Sequence, residues 1–162
     1  MNKQDYEWIR QSRNIVFDQC RTLTDEELTK DFGFALGTIK ETLIHITKAY
    51  RNWIGSFLLG NEIVGDYSPE QLATMDFAAI ENLYALVDRY IYEAIDQYEA
   101  SLDVVMSSQS HFKIGEQKTP HHLLLHTMTH EFHHKGQVTA MLHLLGYTPN
   151  NINMVQFDSV KR

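Results

Sequence analysis

The chain has 162 residues, 43% of them hydrophobic and 22% charged, which is the size and composition expected for one globular domain. It has 14 Lys and Arg residues against 21 Asp and Glu residues, a net charge of −7, and its basic residues do not cluster, which argues against nucleic-acid binding. No stretch of about 18 apolar residues is present, and the N-terminal residues lack the apolar core of a signal peptide, so we expect a cytoplasmic protein outside the membrane. The single cysteine, Cys20, excludes a disulfide or a thiolate cluster within the chain and leaves nitrogen and oxygen ligands for any metal.

Apolar residues recur at helical spacing in four long segments, so the chain is predicted to be all-α. The first helix is predicted from about Asp5 to Cys20. Thr24 and Glu27 form a capping-box pattern that predicts a short helical turn after it. The second long helix is predicted to start near Thr38, with a second capping-box pattern, and to end at Gly60.

The second half of the chain holds the other two long helices. Ser68 followed by Pro is a start signal for a short turn, and the third long helix is predicted over about residues 76–106. The polar segment after it is predicted to be a loop with a small hairpin, in which residues 111–114 are a strand candidate. Thr119 as N-cap and Pro120 at the first helical position open the fourth helix, which is predicted to run to Leu145.

Loops too long for simple hairpins join these four helices, so the prediction is a four-helix bundle with crossover connections. Residues 147–162 are expected to lie extended over the bundle, and residues 1–162 are predicted to form a single domain.

The fourth helix carries histidines four residues apart, at His122, His126, His130 and His134. A step of four residues turns a helix by about 400°, so these imidazoles lie on one face and can hold a divalent metal. We predict His130 and His134 as the ligand pair. His126 is expected to support the site or pack in the core, whereas the remaining histidines of this helix are expected outside the site.

Residues 130–134 also match the H-E-x-x-H pattern of zinc peptidases, in which the glutamate, here Glu131, is the general base. The extended form of that pattern needs Gly and His at positions that hold Gln137 and Ala140 in this chain. No glutamate follows Glu131, so a downstream glutamate ligand is absent from the sequence as well. The third ligand is therefore expected upstream, on another helix, and the peptidase remains a minor alternative.

His45 is the upstream candidate, in the middle of the apolar second helix. One interpretation is a hydrogen-bonded core histidine. The other is a third ligand that faces His130 and His134 across the core, where helical bundles assemble metal sites. Glu41 and Gln137 are candidates to orient the ligand imidazoles through their second nitrogen.

Two segments, ETLIHITKAYRNW at 41–53 and LLLHTMTHEFHHKGQVTAMLHLLG at 123–146, resemble the DinB-like (DinB/YfiT-like) family of bacterial four-helix-bundle proteins. The resemblance implies an up-down-down-up bundle, often dimeric, whose metal triad falls on His45, His130 and His134 and leaves one coordination position open. Lys135 follows the last ligand, where the family usually has arginine.

The resemblance and the histidines together predict a metal-dependent enzyme that acts on a small molecule, with zinc or nickel as the expected cofactor. A thiol-dependent S-transferase that uses a low-molecular-weight thiol, or a small-molecule hydrolase, is the expected activity, and a homodimer the expected assembly. The alternative is a metal-binding stress-response module without turnover. The pattern assigns no residue a catalytic role.

Overall fold

The computed structural model describes residues 2–63 and 65–157. Its helices are α1 (Lys3–Cys20), α2 (Asp25–Thr29), α3 (Ile39–Tyr50), a π-helix (Arg51–Leu58) that continues α3, α4 (Pro69–Thr74), α5 (Phe77–Tyr98), α6 (Pro120–Leu144) and a 3₁₀ turn (Met154–Gln156). Two short strands, β1 (Met106–Ser107) and β2 (Gln117–Lys118), pair antiparallel. The all-α prediction is confirmed, and no helix in the described ranges is long and apolar enough to cross a membrane.

Side-chain caps start these helices where the sequence predicts them. The Thr24 side chain accepts from the backbone of Glu27 and the Glu27 carboxylate accepts in return, so the first capping box is confirmed. Thr38 caps α3, Ser68 caps α4 with Pro69 at its first position, and Thr119 caps α6 with Pro120 at its first position. The caps satisfy backbone N–H groups that a helix start otherwise leaves without partners.

The third long helix is shorter than predicted. It ends at Tyr98, not near Met106, because the chain then makes successive turns in which Ser101 N donates to Tyr98 O and Val104 N donates to Ser101 O. The Tyr98 hydroxyl donates to Leu58 O at 2.7 Å and so ties the end of α5 to the end of the π-helix.

The predicted hairpin exists, but its strands differ from the prediction. Residues 111–114 form the loop between β1 and β2 rather than a strand, because Lys113 and Gly115 have φ angles of 55° and 85°. Those left-handed backbone angles are incompatible with an extended strand.

The second long helix changes type where the sequence predicts a continuous α-helix. It turns into a π-helix at Arg51 and ends at Leu58, two residues before Gly60, whose φ is 76°. A Cβ on Gly55, inside the π-helix, would lie 2.8 Å from Cε2 of Tyr90, so only glycine lets this helix approach α5 so closely.

Helices α1, α3, α5 and α6 pack around one apolar core, and the broadest contact is between α3 and α6. The up-down-down-up order of the four long helices stays a prediction. The tail follows α1 as expected, since Thr148 O accepts from Gln19 and Ile152 O accepts from Ser12. Residues 158–162 of the predicted tail lie outside the described residues.

Candidate metal centre

The contact between α3 and α6 brings three histidines together. Nε2 of His130 lies 3.2 Å from Nε2 of His45 and 3.1 Å from Nε2 of His134. One ligand atom from each of the three residues lies within 4.8 Å of the other two, and in the described part of the chain no fourth His, Cys, Asp or Glu joins the group. His45 therefore lies next to His130 and His134, the position that its interpretation as a third ligand requires.

These spacings suit a shared cation. Zinc–nitrogen bonds of about 2.0–2.1 Å in a tetrahedron place the ligand nitrogens about 3.3–3.4 Å apart, close to the distances between the imidazoles. An Nε2–H on His130 could donate to only one of its two neighbours. At least one ring would then keep an unpaired lone pair towards the centre, whereas a cation would engage all three.

Gln137 fixes the His134 imidazole. His134 Nδ1 lies 2.7 Å from Gln137 Oε1, so Nδ1 carries the proton and donates it, and Nε2 keeps its lone pair towards the centre. Gln137 Nε2 in turn lies 3.1 Å from Nε2 of His133, which holds the amide in this orientation. The predicted contact between Gln137 and a triad imidazole is therefore present. Glu41 is not hydrogen-bonded to a triad imidazole among the described residues, and its carboxylate instead accepts from the hydroxyl of the helix cap Thr38 at 2.9 Å.

The triad is held in the neutral form that metal ligation requires. Burial, followed by the neighbouring histidines, lowers the pKa of His130 to about 4. Burial also lowers the pKa of His45 and of His134, although the hydrogen bond to Gln137 partly offsets the effect at His134. Imidazoles that stay neutral below pH 6.5 keep their lone pairs for a metal over a wider pH range than free histidine.

The triad is open on one side. His134 is buried, with 8% of its surface exposed, while His45 and His130 are partly exposed. The His126 ring lies 5.8 Å from that of His130, between centroids, and packs edge-on against Trp53 at 5.7 Å. His126 therefore lies beside the triad rather than in it, as the supporting role predicts.

Glu131 faces away from the histidines, into a buried ionic network. Its carboxylate accepts from Nε and Nη2 of Arg13 at 3.0 and 3.1 Å and from the Tyr50 hydroxyl at 2.8 Å. Lys135 Nζ lies 3.5 Å from it and donates to the Ser12 hydroxyl at 3.0 Å. With both oxygens engaged and no side facing the triad, this carboxylate is not placed to activate a nucleophile there, which argues against the peptidase.

The ionic network extends beyond what the sequence indicates. Arg13 also donates to Asp88 at 2.7 Å and to the Tyr6 hydroxyl at 2.9 Å, so charges from α1, α5 and α6 meet in the core. The spacing of Glu131 and Lys135, four residues apart, was the available signal for an ion pair. The Arg13 partner lies 118 residues away in the chain, and no local pattern points to it.

The remaining histidines of α6 lie outside the triad, as predicted. They are exposed, and His121 pairs with Asp103, with 3.1 Å between Nδ1 and Oδ1. Cys20 is fully buried, and burial raises the pKa of its thiol to about 12, so it is neither a ligand nor an available nucleophile.

Two proteins of Bacillus subtilis (strain 168) are similar to this chain over most of its length. The uncharacterized protein YizA is 25% identical over 153 residues, which cover 93% of this chain and 91% of YizA. Protein DinB is 25% identical over 149 residues, which cover 88% of this chain and 84% of that protein. The sequence model of the DinB family matches residues 1–161, and the chain therefore belongs to the DinB family.

Proposed function

We propose that His45, His130 and His134 bind one divalent cation, zinc or nickel, and that the protein is a metal-dependent enzyme acting on a small molecule. The observation that supports this most is the convergence of three imidazoles, with Nε2 of His130 lying 3.2 Å from that of His45 and 3.1 Å from that of His134. Membership of the DinB family is compatible with such a site. The proposed activity is thiol-dependent S-transfer with a low-molecular-weight thiol, or hydrolysis of a small molecule.

When bound, a divalent cation in such a site acts as a Lewis acid that lowers the pKa of a water or thiol ligand. The chain itself supplies three imidazoles without charge, so the cation's full positive charge remains to stabilise a thiolate or hydroxide. Gln137 holds His134 in the tautomer that presents Nε2. Trp53 and His126 form an aromatic pair on the flank of His130.

Metal analysis of protein purified without a histidine tag tests the site. We expect about one zinc or nickel ion per chain. Substituting alanine for His45, His130 or His134 should each remove the ion from a protein that still folds, as judged by circular dichroism. His143→Ala is the matched control, because His143 is an exposed histidine near the end of the same helix. A metal-free wild type that takes up neither zinc nor nickel at micromolar concentration would contradict the proposal.

Activity is tested separately from binding. The metal-loaded protein should transfer a thiol to an electrophilic acceptor, or hydrolyse a small ester or amide, and the His130→Ala variant should lose that turnover. Metal uptake with no turnover on either substrate class would leave a non-catalytic metal-binding module and contradict the enzyme.

A further inference from the structure

Two cavities near the triad share part of their lining. The smaller, of about 130 Å³, is lined by His45 and Lys48 of α3 and by Asp66 and Tyr67 of the loop before α4. The larger, of about 570 Å³, is lined by Arg51 and by the same Asp66 and Tyr67. Both cavities share these two loop residues and lie along α3 and the start of the π-helix, and together they are here called the α3 groove.

The α3 groove begins at a residue of the triad and continues to the first residue of the π-helix. His45, Lys48 and Arg51 are three residues apart, so each side chain neighbours the next along the helix, in a row that turns around the axis by about 60° per step. With a rise of about 1.5 Å per residue, Arg51 lies roughly 9 Å along the axis from His45. A molecule that spans the row would have one end at the triad and the other at Arg51.

Arg51 is the cation of the groove that pairs with no carboxylate among the described residues. Lys48 forms an ion pair with Asp66. The Arg51 guanidinium donates from Nη1 to the Tyr67 hydroxyl at 2.6 Å, and its Nε is buried without a hydrogen-bond partner. Among the described residues, no carboxylate lies within 4.0 Å of this guanidinium. A partly buried arginine normally pairs its planar fork with a carboxylate or phosphate, so a ligand group can complete it.

The acidic side chains that line the groove are exposed, so they repel a bound anion only weakly. Glu41 lines the smaller cavity and Glu62 the larger one, and both residues are exposed; the Asp66 side chain, which lines both cavities, is 88% exposed. Water and salt screen exposed charges strongly, whereas the half-buried Arg51 is screened less. The nearest electrostatic partner for an anion in the groove is therefore Arg51.

The wall opposite the loop is fixed in shape. Tyr90 of α5 lines the larger cavity and packs directly on Gly55 of the π-helix, where a Cβ would lie 2.8 Å from its ring. π-Helical turns are uncommon and occur often at functional sites. Here the π-helix begins at Arg51 itself, so the change of helix type coincides with the cation.

We infer that the α3 groove binds the anionic end of the small molecule whose reactive end reaches the triad, with Arg51 pairing with a carboxylate or phosphate group. The inference rests on the proposed function. It names the substrate or co-substrate class as an acidic small molecule, such as a thiol that carries an oxyanion roughly 9 Å from its sulfur.

Two thiols of equal length test it, 6-mercaptohexanoate and the uncharged 6-mercaptohexanol. Each is titrated into the cobalt-loaded protein, where the near-ultraviolet charge-transfer band reports a thiolate on the metal without any turnover. We expect the acid to bind about tenfold more tightly than the alcohol, as one charge-assisted pair allows. Arg51→Gln should bring the two dissociation constants together, and Arg51→Lys should retain part of the preference. Arg89→Gln, a surface arginine on α5 that lines neither cavity, should leave the preference unchanged.

Competition identifies the anion. Displacement of the acid by acetate indicates a carboxylate site, and displacement by inorganic phosphate at lower concentration indicates a phosphate site. Equal affinities of the two thiols for the wild type, or a preference that survives Arg51→Gln, would overturn the inference while the metal site stands.

A failure of the proposed function gives a different result. If the protein binds no cobalt, the metal-free protein is titrated with 6-mercaptohexanoate while the nitrogen-15 resonance of Arg51 Nε is followed. A shift that the alcohol does not produce supports the groove on its own, and an unshifted resonance overturns it.

Discussion

At the scale of single residues, the orientation of one imidazole depends on one amide. Gln137 lies one turn after His134 and accepts its Nδ1 proton, which leaves Nε2 free to face His45 and His130. Such hydrogen-bond partners raise the basicity of a ligand and prevent the ring from turning away.

Gln137→Leu removes that acceptor while keeping a side chain of similar size. We expect zinc to bind about 10–100-fold more weakly, because His134 can then rotate or adopt the other tautomer. Competition with a chelator of known affinity measures the loss. His143→Ala should leave the dissociation constant unchanged, and equal zinc affinity in Gln137→Leu and wild type would show that the hydrogen bond does not orient the ligand.

The sequence predicted which three histidines come together, but it did not predict which neighbouring residues contact them. The four-residue spacing placed His130 and His134 on one face, and the family resemblance added His45. The same reasoning offered Glu41 and Gln137 equally as orienting partners, and only the structure separates them. The Glu41 carboxylate accepts a hydrogen bond from the Thr38 hydroxyl at the start of α3, because an N-cap residue competes for an acidic side chain in the first turn.

At the scale of secondary-structure elements, α6 presents two chemically different faces within one turn. His130 and His134 face α3, while Glu131 and Lys135 face the ionic network around Arg13. Burial raises the pKa of Glu131, but the charges of Arg13 and Lys135 outweigh burial and lower it overall, so the carboxylate is ionised at neutral pH. The Tyr50–Glu131 hydrogen bond of 2.8 Å gives α3 and α6 a second fixed contact besides the histidines.

Glu131→Gln separates the structural role of this residue from a catalytic one. We expect the free energy of unfolding to fall by about 3 kcal/mol, because the substitution removes the carboxylate that pairs with buried Lys135 and leaves Arg13 with Asp88 alone. The folded variant should still bind one metal ion per chain. Urea unfolding and metal analysis measure the two effects, with Glu93→Gln on exposed α5 surface as a control expected within about 0.5 kcal/mol. Unchanged stability together with lost peptide cleavage would restore the peptidase.

Two glycines in helical segments are expected to respond oppositely to alanine. Gly55→Ala should lower the free energy of unfolding by about 1–3 kcal/mol, because the new Cβ meets the Tyr90 ring at 2.8 Å. Gly136→Ala should raise it by about 0.5–1 kcal/mol, because nothing lies within 4 Å of its Cβ and alanine favours the helix. Chemical unfolding of both variants provides the comparison. A neutral Gly55→Ala would mean that Tyr90 moves freely and that the wall of the α3 groove is not fixed.

At the scale of the whole molecule, folding couples the triad to pH. The pKa of His130 is about 4 in the folded chain against an ordinary value of 6.5, and those of His45 and His134 are lowered too. Between these values the unfolded chain binds more protons than the folded chain, so stability falls as the pH drops from 6.5 towards 4.

Urea unfolding of the metal-free protein at several pH values from 7.5 to 4.5 measures this dependence. His130→Gln should show a shallower loss of stability across the same range, because it removes the most strongly shifted group. Zinc should steepen the dependence in the wild type, since protons and metal compete for the same lone pairs. Parallel curves for the variant and the wild type without metal would contradict the burial of a neutral His130.

The sequence by itself determined the all-α class, the helix starts and the histidine pair of α6, because caps and spacing within one turn are local properties of the chain. Only the tertiary structure decided the rest. It brought His45 to within 3.2 Å of His130, 85 residues away, and it turned Glu131 of the H-E-x-x-H pattern into the core partner of Arg13. It also placed Arg51, which has no counter-ion in the described part of the chain, along the groove that starts at His45. The physical reason is that burial and charge pairing depend on how helices pack against one another, and a helix's own sequence specifies its face but not its neighbour.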